Sequence, residues 1–222
     1  MPLLGTAAML LSFDVVAEAI SEHDSWHTHE HLPERLAIPG FMRGTRWTAL
    51  QGAPRYMVLY EVETLSTLTS EPYLERLNNP SPWTTKVMPH YRGMDRGLCS
   101  VLGSFGFGTG HACGLVRFKP DAGAQVHRWL LEETLPRLPT QPGLGSAHLL
   151  QGASSPSMTN EQRLRGKDGR VHSALIITGY DHGAVEAAAR VTLADLNARG
   201  SDEATLTIYE VAYSLARTEI DA

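Results

Sequence analysis

Cysteine is almost absent: the chain has two, Cys99 and Cys113, in 222 residues. Two thiols build no disulfide framework and suit a reducing compartment, so a cytoplasmic location is expected. Long hydrophobic runs are missing as well. No segment reaches the roughly 18 consecutive apolar residues of a membrane helix. The opening Met1–Leu11 has no basic segment, and Asp14 and Glu18 follow closely, so it reads as a first strand rather than a secretory signal. There is no excess of positive charge: 19 Lys and Arg stand against 24 Asp and Glu, a net charge of −5. A phosphate backbone is therefore an unsuitable main partner. No Gly-x-Ser-x-Gly occurs, and both cysteines sit in apolar stretches as inert small residues, which leaves no marked nucleophile. What remains is an ordinary globular composition, 42% hydrophobic and 19% charged, on a chain long enough to bury a core.

The chain is written twice. Trp26 through Gly44 aligns without gaps on Trp129 through Ala147, with six identities: Trp26, Glu30, Leu32, Pro33, Pro39 and Gly40 match Trp129, Glu133, Leu135, Pro136, Pro142 and Gly143. Ordinary residue usage gives about one identity by chance over such a window. Leu50-Gln51-Gly52-Ala53 recurs as Leu150-Gln151-Gly152-Ala153. Apolar periodicity and turn residues place strands at 8–16, 41–50, 55–63 and 96–105 in the first copy, with helices at 17–31 and 66–78. Pro33 is expected to kink or end the first helix near His29. The second copy reads strand 111–119, helix 124–138, strands 144–152 and 172–180, helix 183–198 and strand 203–215.

Each copy is thus βαββαβ, the split ferredoxin-like unit. The expected fold is α+β: two tandem ferredoxin-like units, 1–108 and 109–222, joined into one intrachain α/β barrel. The joint, Gly103 to Gly110, holds a Gly-x-Gly-x-Gly string. A strand, not a helix, is expected after it, so it lacks the helix N-terminus that a dinucleotide pyrophosphate needs.

With that element order, the run Trp26-x-x-x-Glu30-His31-Leu32-Pro33-Glu34-Arg35, closed by Pro39-Gly40-Phe41, resembles the dimeric α/β-barrel superfamily, and within it the EthD-like branch in tandem-fused form. The resemblance implies small-molecule enzymes that are often cofactor-free, among them monooxygenases, isomerases, cyclases and decarboxylases. Some relatives, such as chlorite dismutases and dye-decolourising peroxidases, bind haem. Fold alone does not choose among these.

The copies differ most where chemistry is available. The apolar stripe from Val16 and Ile20 continues through His23, His27 and His31, and the alignment sets Val126, Leu130 and Thr134 at those positions. The first copy therefore turns three imidazoles toward its sheet where the second is mostly apolar. His31 and His27 are the expected catalytic pair, because imidazole exchanges protons near neutral pH. His23 and Trp26 are expected beside them, with Glu30 placed to orient a histidine or to serve the fold. The aromatic loop 80–92 offers Trp83 to cover a planar substrate, and His90 or Arg92 to hold an anionic oxygen. A partner of small-molecule size follows, with a homodimer of the fused chain as a further possibility. No resident cofactor is expected. His27 and His31 have the spacing of two metal ligands on one helix, but the sequence offers no third, so no metal is expected either. The alternatives are a non-catalytic ligand-binding protein with the same pocket, or a haem enzyme with His148, His172 or His182 as axial ligand. The polar insertion Ser154–Arg170 reads as a solvated loop or mobile hairpin.

Overall fold

The computed structural model describes residues 3–119, 124–154, 158–201 and 203–220. The first half contributes strands β1 (Ala7–Val15), β2 (Phe41–Gln51), β3 (Tyr56–Val62) and β4 (Tyr91–Gly106). The second contributes β5 (Ala112–Phe118), β6 (Leu144–Gly152), β8 (Ser173–Gly179) and β9 (Thr205–Ala216), and a two-residue β7 (Gly169–Arg170) lies parallel to β4. The sheet order is β1-β3-β2-β9-β5-β8-β6-β4, and β4 returns to pair with β1. Eight antiparallel strands thus form a closed barrel. Each half has its opening strand at the centre of its own four, and the halves exchange edges at β2–β9 and β4–β6. No long edge of the main sheet is left to pair with another chain. The fold is α+β, two ferredoxin-like units closing one intrachain barrel.

The helices pack outside the barrel: α1 (Ile20–Trp26), α2 (Leu32–Leu36), α3 (Glu71–Asn78) and α4 (Pro82–Val87) on the first half, α5 (Ala124–Trp129), α6 (Asn160–Arg165) and α7 (His182–Ala198) from the second. Three apolar clusters result. One lies between sheet and helices in each half, and a third fills the barrel with Leu10, Trp47, Met57, Leu115, Ile176 and Tyr209. Cys99 and Cys113 belong to the barrel interior and are free.

Three local expectations change. Of the two outcomes expected of Pro33, a kink or an end near His29, the end does not occur: the helix is interrupted there and continues. The chain makes a π-helical turn, His27–His31, and runs on into α2, with the Leu32 amide bonded to the His27 carbonyl five residues back. Pro33 has no N–H to give the His29 carbonyl, and the widened turn moves that carbonyl clear of the proline ring. The second half repeats the device before Pro136: a π turn at Leu130–Thr134, closed by Leu135 N–H to Leu130 O at 2.8 Å. The helix expected over 66–78 begins only at Glu71, after a 3-10 segment, because Pro72 is accommodated in a first turn but not in a helix interior. The insertion after β6 is not a solvated loop. Residues 155–157 lie outside the described set, but 160–165 form α6, with Glu161 and Gln162 buried against the first half.

The glycine string after β4 is a backbone joint. Gly106, Gly108 and Gly110 have φ of 82°, 69° and 62°, and β5 follows directly. No helix receives a pyrophosphate there.

Candidate functional site

The three histidines expected to point inward do so. His23, His27 and His31 are buried, and their rings form a column with centroids 5.6 and 5.5 Å apart. His29, on the other face, is exposed. Their partners differ from top to bottom. His23 is held at both nitrogens, by Asp24 Oδ1 at 3.1 Å and the Tyr91 hydroxyl at 3.1 Å. His27 has one long contact, Nε2 to the Tyr60 hydroxyl at 3.5 Å, and its Nδ1 has no partner. Nδ1 of His31 has none either.

Continuing the stripe one step brings in Arg35, four residues beyond His31. Its guanidinium is buried and pairs with Glu161 of α6, while Nη1 has no hydrogen-bond partner. His27, His31, Arg35 and Glu161 line a small, largely enclosed cavity of about 20 Å³, room for a single water. His23, expected beside it, is not part of the lining. Met9, Leu11, Phe13 and Met94 form its sheet side. Tyr73, Tyr91 and Arg96 add polar atoms, and Glu161, Gln162 and Arg165 of α6 close it. Arg96 is buried and donates Nη2 to the Tyr73 hydroxyl at 3.3 Å.

The electrostatics follow from burial. Desolvation holds His27 and His31 well below the usual imidazole range, and neighbouring Arg35 pushes His31 further down. Both rings are neutral at pH 7. His23 is also lowered by burial, with Asp24 working against the shift. Burial alone would lower Arg35, but the Glu161 carboxylate outweighs it and keeps the guanidinium protonated. Arg165 is neutralised within its own segment, by Asp168 at 3.0 Å (Nε–Oδ1) and 2.9 Å (Nη2–Oδ2). Desolvation drives the Tyr91 hydroxyl well above its ordinary value.

The remaining expected site residues are not gathered here. Trp26 is fully buried beside His31, with centroids 4.3 Å apart, and its indole donates to Glu30 Oε1 at 3.1 Å and Thr84 Oγ1 at 3.3 Å. Glu30 also accepts from Ser81 Oγ at 2.6 Å. It therefore ties Trp26 to the start of α4 and orients no histidine. Trp83 lies half-buried by Glu22, packed against the edge of the first half's core. His90 gives its carbonyl to the Val16 amide at 3.1 Å, and Arg92 is exposed, with Nη1 on the Pro89 and Tyr91 carbonyls. None of these three lines the cavity. Its true lining includes Arg35, Arg96 and Glu161, which the expected set lacks. Arg35 had a readable signal: its aligned partner in the second half is Leu138, which is buried. Glu161 had none, because it lies in the unmatched insertion.

The second half is the apolar counterpart, with Val126, Leu130 and Leu138 packed in its core. A larger open groove of about 520 Å³ runs beside α7, lined by Trp129, Leu138, Ala188 and Val191 among others, but no imidazole faces it. Among the described residues, no group of three or more His, Cys, Asp or Glu comes together to hold a metal ion. Haem does not fit the closed cavity. Of the candidate axial histidines, His148 has both nitrogens engaged, by Ser104 Oγ at 2.9 Å and Ser146 Oγ at 3.0 Å. His172 is exposed and His182 packs on His111, both away from the cavity. Among the described residues, no helix is long and apolar enough to cross a membrane.

Comparison with known proteins places the architecture. No family profile and no curated protein matches the chain in sequence. Among solved structures, an anthrone oxidase-like protein superposes with a TM-score of 0.65 at 11% identity, covering 98% of this chain and 96% of its own. A monooxygenase candidate from Lactobacillus acidophilus gives 0.58 at 8% identity, with 95% and 96% covered. One from Fusobacterium nucleatum gives 0.57 at 9%, with 96% and 95% covered. The chain has the ferredoxin-like barrel fold of these proteins along its whole length. At such identities the likeness speaks for fold alone.

Proposed function

We propose that this chain is a cofactor-free enzyme acting on a small apolar or aromatic carbonyl compound by histidine acid–base chemistry. His31 is the base and His27 its neighbour in the column. The observation that carries the reading is the pair of unpartnered Nδ1 atoms on neutral buried imidazoles, beside the Arg35 guanidinium and its unpartnered Nη1. Unpaired polar atoms in a core are costly, so a fold that holds three around one cavity keeps them for a ligand. A neutral imidazole takes a proton from a carbon next to a carbonyl, or conjugated to it through an aromatic ring. The negative charge then collects on the carbonyl oxygen, where a guanidinium stabilises it. Proton removal forms the enolate in isomerisation and cofactor-free oxygenation; in decarboxylation loss of carbon dioxide forms it, and the guanidinium stabilises the same charge. His23 and Trp26 support the column: one is pinned by Asp24 and Tyr91, the other packs on His31 and is anchored to Glu30 and Thr84. The split at 108/109 goes with this reading, the first unit carrying the site and the second acting as its degenerate partner. The EthD-like, tandem-fused relationship and a cytoplasmic location belong to the same proposal, the latter supported by two buried free thiols.

The name of the anthrone oxidase-like neighbour suggests the probe. Under nitrogen in deuterium oxide, the chain is expected to catalyse exchange at the benzylic carbon of anthrone, and His31→Gln to abolish it with the near-ultraviolet circular dichroism unchanged. Oxygen uptake in air then separates an oxygenase from an isomerase or decarboxylase. Full exchange in the variant overturns the assignment of His31. Anthrone that binds but returns unexchanged from both proteins favours the binding-protein reading instead.

A further inference from the structure

Resting on the reading of the histidine cavity as a ligand site, we infer that Glu161 occupies the anion subsite of that cavity, and that the natural ligand is a planar apolar acid whose ionised oxygen takes its place on Arg35. Four observations converge. Glu161 comes from an insertion with no counterpart in the first half, 126 residues from Arg35 in sequence, yet both groups are buried. The pair leaves Arg35 Nη1 without a partner, so the guanidinium has capacity for a second acceptor oxygen beyond its bond to Glu161. The cavity beneath α6, at about 20 Å³, holds one water and nothing larger, so a ligand enters only when α6 moves. Arg165 carries its own counter-ion in Asp168, so α6 can leave without stranding that cation.

When α6 is lifted away, Arg35 loses its carboxylate, and Arg96 has only the Tyr73 hydroxyl as a side-chain partner among the described residues. Two guanidinia then face a wall of Met9, Leu11, Phe13 and Met94. That combination selects an anionic head on an apolar body. Exchanging one carboxylate for another on Arg35 keeps the buried cation paired, which avoids the large penalty of an uncompensated charge. Burial of the ligand's apolar body supplies the favourable difference. Glu161 is thus a tethered competitor, and the residues that hold it, Arg35 above all, are positioned for the incoming acid.

Cinnamate and its uncharged isostere cinnamamide test this on the full chain. Both are titrated calorimetrically into the wild type and into Glu161→Gln, and hydrogen exchange is followed across 160–165. Cinnamate is expected to bind the wild type and to speed exchange in α6 at saturation. Cinnamate is expected to bind at least about tenfold tighter than cinnamamide to both proteins, because only the acid pairs with Arg35. Glu161→Gln is expected to lower both Kd values about tenfold or more by removing the tethered competitor. Equal Kd values for acid and amide, Kd values unmoved by Glu161→Gln, no cinnamate binding, or unchanged α6 exchange at saturation each overturn the proposal. If Glu161→Gln does not fold, the wild-type exchange experiment decides alone. Failure of the catalytic reading is separable: loss of anthrone exchange without loss of cinnamate displacement removes the enzyme and leaves the subsite.

Discussion

Lowering the pH from 7 to 5 is expected to weaken this fold through its buried imidazoles, and His148 allows the size to be worked out. It lies inside the barrel between Ser104 and Ser146, 3% exposed, and burial, with a smaller contribution from Arg43, pushes its pKa down to about 3. In the unfolded chain the ring titrates near 6.5. Above that value it is neutral in both states and stability is unaffected. Below it the unfolded chain binds a proton that the folded chain refuses, so stability falls as pH falls, by about 1.4 kcal/mol per unit for each such ring. At pH 5 the loss from His148 is about 2 kcal/mol, to be set against a typical total of roughly 5–15 kcal/mol. His27 and His31, also lowered, add in the same direction. Urea denaturation at several pH values between 7.5 and 5 measures the slope. His148→Gln should reduce it by one proton, about 1.4 kcal/mol per pH unit. The same slope in variant and wild type would mean that His148 titrates normally in the folded state, and the burial argument would be wrong.

Two further substitutions probe the frame around the site. A Cβ at Gly44 would stand 2.3 Å from Leu32 Cδ2 and 3.1 Å from Tyr60 Cε1, with both side chains fully buried, so Gly44→Ala should cost about 1–3 kcal/mol in urea unfolding by overpacking the helix–sheet contact. A variant as stable as the wild type would show that α2 can shift outward freely. Trp26→Phe removes the indole donor to Glu30 and Thr84 and part of a fully buried ring, with an expected loss of about 1–3 kcal/mol from the missing hydrogen bond to a carboxylate and the space left behind. A cost below half a kilocalorie would contradict the anchoring role, and thermal unfolding followed by circular dichroism measures it.

Much of this architecture was legible in the chain because it rests on local pattern. Strand and helix order came from period-two and period-four apolar spacing, and the repeat from Trp26, Pro33, Pro39 and Gly40 meeting their partners. The inward column of His23, His27 and His31 was legible for the same reason, since residues four apart share a helix face. The π turn was not. Pro33 announces an interruption, but only the packing of α2 on the sheet makes continuation more favourable than termination. Trp83, His90 and Arg92 are rich in chemistry and close in sequence to Tyr91, yet of these four only Tyr91 faces the cavity, and Arg92, next to it on β4, stays outside. Alternation along a strand separates neighbours that composition groups together. Glu161 was beyond reach, because its place depends on a contact between the two halves, outside the barrel, by segments with no shared pattern.

The reach of α6 onto the other half has a consequence for how such proteins diversify. In an assembly of two identical chains, any change in one subunit is made in both, so an insertion that covers a neighbour's cavity covers two cavities at once. Here the two halves lie on one chain and vary separately. The second carries Val126, Leu130 and Thr134 where the first has its imidazole column, and has an arm that serves only the first. Freedom from imposed symmetry lets one half become an attendant of the other.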